Sequence, residues 1–349
     1  MVRIGIIGLG FMGMTHYEGA KKVDGGKVTA IATRNPAKLA GDWTSIQGNF
    51  GPRGGHVDLS NVKTYSDYQE LLADPEIDLV DICLPLDQHE KVTLEAIAAG
   101  KAVIVEKAIA LDIAAADRMV QAARDAGALL MVAHVLPFFP EFKFAADAIM
   151  GGRYGKLRAA HFRRMISKPD WSDDMADPAK TGGPGIDLHI HDTHFIGWVC
   201  GTPKAVQSRG ILEDGYAQYL DTQYLFDDPE LTVSCTSGGI SAAAMPFAHG
   251  FELYLEKATL LFDFATLGSE PTLNRPLTVL HADGTVEEPK LDGGEEWCAA
   301  FTAELQVAVD AVRNGEEPRL LSGALARDAL KLCYHEAESI KTGKPVYMD

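Results

Sequence analysis

The sequence predicts a two-domain α/β protein: a parallel sheet with crossover helices, followed by an α+β domain built on a large, mostly antiparallel open sheet. Three observations predict it. Short β-branched runs alternate with alanine-rich amphipathic stretches through the first third of the chain, as parallel strands joined by helices require. A glycine-rich turn, Gly8-Leu9-Gly10-Phe11-Met12-Gly13, follows the first apolar run and opens an amphipathic stretch. Beyond about residue 135 the texture changes to longer polar-apolar alternations, which suit antiparallel strands with one covered face.

Taken in order, strands are expected at residues 3–7, 28–33, 79–84, 102–106 and 129–133, with helices at 12–22, 68–73, 90–99 and 113–126. Gly100 and Gly127 stand where helix C-caps belong. Residues 48–61 carry Gly51, Pro52, Gly54 and Gly55 without periodicity and read as a surface loop. Alternation then predicts strands at 156–163, 219–227, 231–237 and 251–256, and two helices at 295–313 and 322–341 close the chain. The domains are expected at 1–135 and 136–349.

Composition narrows the function classes. A length of 349 residues with 46% hydrophobic and 23% charged residues supplies two ordinary globular cores. The net charge of -17 repels nucleic acid and anionic membranes, and no basic run offsets it, so neither is an expected partner. The five cysteines are scattered, odd in number and never spaced as CxxC, which reads as reduced core residues of a cytoplasmic protein. Met1 runs straight into the first strand, with no separate apolar region before a cleavage site, and no apolar run reaches the ~18 residues of a membrane span.

The glycine turn is a GxGxxG element in the strand-turn-helix context that aims helix N-terminal amides at a pyrophosphate, so the first domain reads as a dinucleotide-binding Rossmann domain. Gly8 permits the turn, Gly10 lets the backbone approach phosphate, Gly13 allows close helix-strand packing, and Phe11 and Met12 open the helix. An NAD-selective site usually carries an acidic residue at the end of the second strand. Thr33-Arg34-Asn35 stands there instead. Without the carboxylate a 2'-phosphate is not repelled, and Arg34 has the fork geometry to pair with it, so NADP is expected over NAD, with NAD as second choice. The competing reading leaves Arg34 in solvent or stacked on adenine.

Together with Leu84-Pro85-Leu86-Asp87-Gln88-His89, the pair Glu106-Lys107, residues 182–191 and the closing Gly343-Lys344-Pro345-Val346, the turn resembles the Gfo/Idh/MocA family of glucose-fructose oxidoreductases and inositol dehydrogenases. The resemblance covers essentially the whole chain. It implies hydride transfer between a nicotinamide and a secondary alcohol or ketone of a sugar, inositol or related polyol. It also implies that Leu84, Pro85, His89, Glu106 and Lys107 border the cofactor, with Lys107 reaching the substrate hydroxyl and the nicotinamide ribose. The family pattern is Glu-Lys-Pro. Ala108 replaces the proline, a change expected to loosen the geometry that aims Lys107. Asp187 and His191 match the family's second signature, and i,i+4 spacing on one helix would put both on one face, joined by His194. The departures are His189, where the family commonly has glycine and which lies far around the helix, and His194, where it commonly has an acidic residue.

In this reading His191 is the acid/base, because an imidazole titrates near neutrality. Lys107 polarises the carbonyl or stabilises the developing alkoxide, and Asp187 orients substrate or imidazole. His134, Arg163, Arg164, Lys168, Trp171 and His194 are candidate substrate-pocket residues, a mixture suited to a polyhydroxylated ring. Four rival readings stand beside this one. The first is a purely structural ionic cluster. The second is a metal held by Asp187, His191 and His194, although their spacing matches no strong zinc motif and no metal is expected. The third is a glycosidase working by transient oxidation and elimination. The fourth is a non-enzymatic cofactor-binding regulator, disfavoured by the retained Lys107 and by the lack of a DNA-reading helix. The resemblance further implies a homodimer or homotetramer.

Overall fold

The computed structural model describes residues 1–48, 50–168, 177–294 and 296–348. Two compact units emerge. The first comprises Met1–Phe138 and Gly293–Arg327, the second Phe139–Asp292 and Asp328–Asp349.

The first unit runs β1 (Val2–Ile7), α1 (Phe11–Ala20), β2 (Gly26–Ala32), α2 (Pro36–Leu39), β3 (Lys63–Tyr65), α3 (Tyr68–Ala73), β4 (Leu79–Ile82), α4 (His89–Ala98), β5 (Ala102–Glu106), α5 (Ile113–Ala126) and β6 (Leu130–Ala133). Its sheet has the order β3-β2-β1-β4-β5-β6 and every pair is parallel. The order reverses between β1 and β4, and the crevice beyond the carboxyl ends of such a pair is where open α/β sheets take ligands. Crossover helices cover both faces, so β4 and β6 are buried along their whole length and read as continuous apolar runs. The helix boundaries follow local chemistry. Asp67 caps α3 and Asp112 caps α5, each accepting from a backbone amide, and Gly127 ends α5 in the left-handed region at φ 61°.

Residues 48–61 form no helix or regular strand among those described, as expected, although the preceding Trp43 is fully buried and donates its indole N–H to the Lys38 carbonyl. Residues 293–327 join this unit, whereas the sequence reading assigns them to the second domain. The physical reason is the helix Ala299–Asn314, which packs on α1 and sends Leu305, Ala308 and Val309 into the same core as Val2, Ile4 and Trp43.

The second unit carries β7 (Leu157–Ser167), β8 (Ala205–Glu213), β9 (Tyr216–Leu225), β10 (Thr232–Ser241), β11 (Phe247–Leu255), β12 (Ala258–Leu267), β13 (Glu270–His281), β14 (Val286–Glu287) and β15 (Val346–Tyr347). They form one sheet in the order β14-β13-β12-β11-β7-β10-β9-β8-β15, in which only β7 and β10 run parallel. Period-two burial marks the covered face. In β9, Leu220, Thr222 and Tyr224 are buried while Asp221 and Gln223 are exposed. Phe142, on the helix Pro140–Met150, packs edge-on against Phe195, Phe251 and Phe262 at the centre of that face. No helix among the described residues is long and apolar enough to cross a membrane.

Candidate active site

In the first unit, Gly8 adopts φ 94°, and a Cβ there would lie 2.4 Å from the Cys83 carbonyl oxygen, so the turn is pressed against the loop leading to Leu84. A Cβ on Gly13 would lie 2.1 Å from the Gly8 carbonyl oxygen. Gly10 differs: a Cβ there would meet nothing within 4 Å. As N-cap of α1, Gly10 supplies no side-chain cap to the first amides of the helix. This cradle fits a dinucleotide pyrophosphate. Arg34 is exposed at the end of β2, and Asn35 caps α2 by accepting from the Ala37 and Lys38 amides. Lys38, which sequence reasoning missed, donates from Nζ to the Leu9 carbonyl at 2.6 Å, and burial lowers its pKa. Its position one turn beyond Arg34 was the available signal.

Behind the turn lies a buried ionic cluster that no motif announced. His16 of α1 is fully buried, with Nδ1 2.9 Å from Asp81 of β4 and Nε2 3.1 Å from Glu106 at the end of β5. Glu304, also fully buried, brings a carboxylate oxygen to 4.0 Å from the same Nε2. Burial alone would push the His16 imidazole down, but the charge and hydrogen bond of Asp81 hold it well above the usual histidine value. Burial pushes the Glu304 carboxyl well up, and the neighbouring charges of Glu106 and Asp81 add to that. The other oxygen of Glu106 accepts the Lys107 amide at 3.2 Å. The Lys107–Ala108 peptide is cis, and Ala108 is buried.

His89 opens α4 and turns inward, 1% exposed, with Nδ1 2.8 Å from the Ala108 carbonyl oxygen and Nε2 2.9 Å from that of Leu84. It thus meets the Leu84 and Lys107 segments through their backbones. Leu84 is half-buried and Pro85 exposed. His134, just past β6, is fully buried.

In the second unit, Asp187 and His191 do not share one helix. Asp187 ends a short helix, Pro184–Asp187, residues 188 and 189 form a turn, and a new helix runs Ile190–Val199. Leu188 and His189 are both drawn into the core at this break. From Gly185 to Gly197 every residue is buried except Asp187 and His191. His194, expected on their face, is fully buried.

The inward side is ionic. His189 Nε2 lies 2.9 Å from Glu336, and the Tyr224 hydroxyl lies 3.2 Å from the same nitrogen. The Glu336 charge raises the His189 imidazole against the opposing effect of burial. Arg164, 4% exposed, donates through two nitrogens to Asp192 at 2.7 and 3.1 Å. Arg163 is the next residue on β7 and pairs instead with Asp263 of β12; Lys168 is exposed beyond the strand end. Trp171 lies outside the described residues.

Two groups bring potential metal-ligand atoms within 4.8 Å of one another among the described residues: His16, Asp81 and Cys83, and His189, Asp192 and Cys235. In each the imidazole already pairs with a carboxylate, Asp81 in one and Glu336 in the other. Asp187, His191 and His194 form no such group among the described residues.

Comparison with known proteins agrees with this architecture. Residues 2–134 match the family described as oxidoreductase family, NAD-binding Rossmann fold (GFO_IDH_MocA), and residues 142–260 match the GFO/IDH/MocA C-terminal domain. The chain is 28% identical over its whole length to myo-inositol 2-dehydrogenase of Thermotoga maritima, covering 99% of that protein. It is 25% identical to scyllo-inositol 2-dehydrogenase (NAD(+)) of Bacillus subtilis, over 100% of this chain and 96% of that one. Among solved structures, an oxidoreductase from Agrobacterium radiobacter in complex with NAD+, L-tartaric acid and magnesium superposes with a TM-score of 0.77 at 20% identity, covering 99% of this chain and 98% of the other, a likeness of fold.

Proposed function

The chain belongs to the Gfo/Idh/MocA family of oxidoreductases, and from that premise we propose that it transfers a hydride between NADP and a secondary alcohol or ketone of a sugar, inositol or related polyol. The observation that carries the reading is that Asp187 and His191 alone are only half-buried between residues 185 and 197, so in a segment packed this completely they are the two polar side chains that a substrate can still reach. A bound nicotinamide nucleotide would supply the hydride chemistry. Gly8, Gly10 and Gly13, with the amides of Phe11 and Met12, would hold its phosphates. Lys107 stabilises negative charge on the substrate oxygen, His191 takes or returns the hydroxyl proton, and Asp187 orients the hydroxyl or the imidazole.

Two cations support the choice of NADP. Arg34 is exposed at the point where an acidic residue would repel a 2'-phosphate, and the half-buried Lys38 docks beside the phosphate turn on Leu9. Arg34→Ala is expected to weaken NADP+ binding about tenfold, the value of one charge-assisted hydrogen bond, and to leave NAD+ binding nearly unchanged.

The test is a panel of sugars, polyols and their glycosides incubated with NADP+ or NAD+ while absorbance of the reduced nicotinamide is followed. Net formation of reduced cofactor, cut about 1,000-fold or more in Lys107→Met, is the expected result. Glycoside cleavage without net reduction would transfer the reading to a glycosidase, and full turnover in Lys107→Met would overturn the mechanism.

A further inference from the structure

The two ring nitrogens of His89 both face backbone carbonyl oxygens, Ala108 at 2.8 Å and Leu84 at 2.9 Å. A carbonyl oxygen only accepts, so both contacts are hydrogen bonds only when both nitrogens carry a proton. The neutral ring leaves one lone pair aimed at an oxygen, and one of the two segments must then move away. These are not arbitrary segments. Leu84 begins the loop pressed on the Gly8 turn, and Ala108 follows Lys107 directly. We infer that His89 is a positioning residue whose imidazolium stitches the Leu84 loop to the Lys107 segment, so that the nucleotide site is fully assembled only while that ring is charged.

The forces on the ring are opposed. Burial pulls its proton affinity down, and so does its place at the N-terminus of α4, where the helix dipole disfavours a cation. The two carbonyls push it up, as do the charges of Glu106 at the end of β5 and of Asp87 in the turn before α4. Glu90, next on α4, is paired with Arg118 of α5. Burial prevails, so the ring titrates below the usual histidine value and the stitch is lost as pH rises through it.

The inference rests on reading the first unit as a nicotinamide-nucleotide site, and the test separates the two. NAD+ affinity of the full-length protein is measured from about pH 5 to about pH 8, a range in which NAD+ itself does not titrate. In parallel, the histidine ring nitrogens are followed by 15N NMR, with His89→Gln used to assign the His89 signals. Affinity should weaken about fivefold as pH rises, the value of one lost hydrogen bond, with the same midpoint as the His89 ring. In His89→Gln, whose amide donates from one atom only, the affinity should be low and flat across the range. Should that variant not fold, the coincidence of midpoints in the wild type still decides. Affinity that does not change with pH, or a His89 ring neutral throughout, overturns the stitch. Failure to bind NAD+ at any pH, and NADP+ in a parallel titration, with the ring titrating, overturns the functional reading instead.

Discussion

Each unit buries one histidine among carboxylates, His16 in the first and His189 in the second, and the two clusters balance their charge differently. In the second, two cations meet two anions: His189 with Glu336, and Arg164 with Asp192. In the first, a single imidazole is shared among Asp81, Glu106 and Glu304. Three carboxylates around one buried cation would leave uncompensated negative charge in a low dielectric, and the Glu304 carboxyl is raised by burial first and by the charges of Glu106 and Asp81 after it. Burial disfavours the charged form in both clusters, and the neighbouring charges decide whether that effect is opposed, as at His189, or reinforced, as by Glu106 and Asp81 at Glu304. Both clusters lie directly beneath proposed functional groups, since Glu106 holds the Lys107 amide and residues 189 and 192 flank His191.

Substituting carboxylates by amides turns this contrast into a ranked series. The largest loss is expected for Asp192→Asn, because the Arg164 guanidinium cannot discharge. About 3–5 kcal/mol should be lost, nearly independent of pH, as measured by urea denaturation followed by circular dichroism. Glu336→Gln should cost less, because His189 is able to give up its proton. The stabilisation from its raised pKa is fully present below the unfolded value near 6.5 and disappears as pH rises through the folded one. A deficit of about 3 kcal/mol near pH 5 that shrinks toward pH 8 is the expected result, and a constant deficit would show that His189 is not charged. Glu304→Gln should cost least, within about 1 kcal/mol near pH 5, since an amide resembles the neutral acid. Its pH trend should run in the same direction but from a different cause, the ionisation of Glu304 itself in the wild type. A carboxyl whose folded pKa is raised destabilises increasingly above the unfolded value, so the wild type loses ground to the variant as pH rises.

Much of the first unit was legible because its signals are local. The expected bounds of α3, β5 and α5 coincide with the structure, each set by a cap or an uninterrupted apolar run. The short α2 and β3 escaped notice because four- and three-residue elements carry no periodicity. In the second unit β7, β9, β10 and β11 were visible through alternation, whereas the hairpin of β12 and β13 was missed. The glycines stood out through short-range spacing, and Lys107, Asp187 and His191 through the resemblance to the family's two signatures. His16, Asp81, Glu106 and Glu304 come from four separate elements that only folding brings together, so no spacing announced them. The same holds for His189, which stood out only as a departure from a glycine: its partner Glu336 sits on a helix at the far end of the chain.

The return of residues 293–327 to the first unit has a consequence for how this protein is made. A ribosome releases β1 through β6 early, yet Leu305, Ala308 and Val309, which complete their core, emerge only after β7 through β14, eight of the nine strands of the second sheet, have been synthesised. Until then the apolar side of α1 that the helix Ala299–Asn314 will cover stays open to water. From the completion of β6 at Ala133 until Leu305 emerges, about half of the chain's length, the sheet of the nascent chain stays unsealed, a state in which chaperones and mispairing compete for exposed apolar surface.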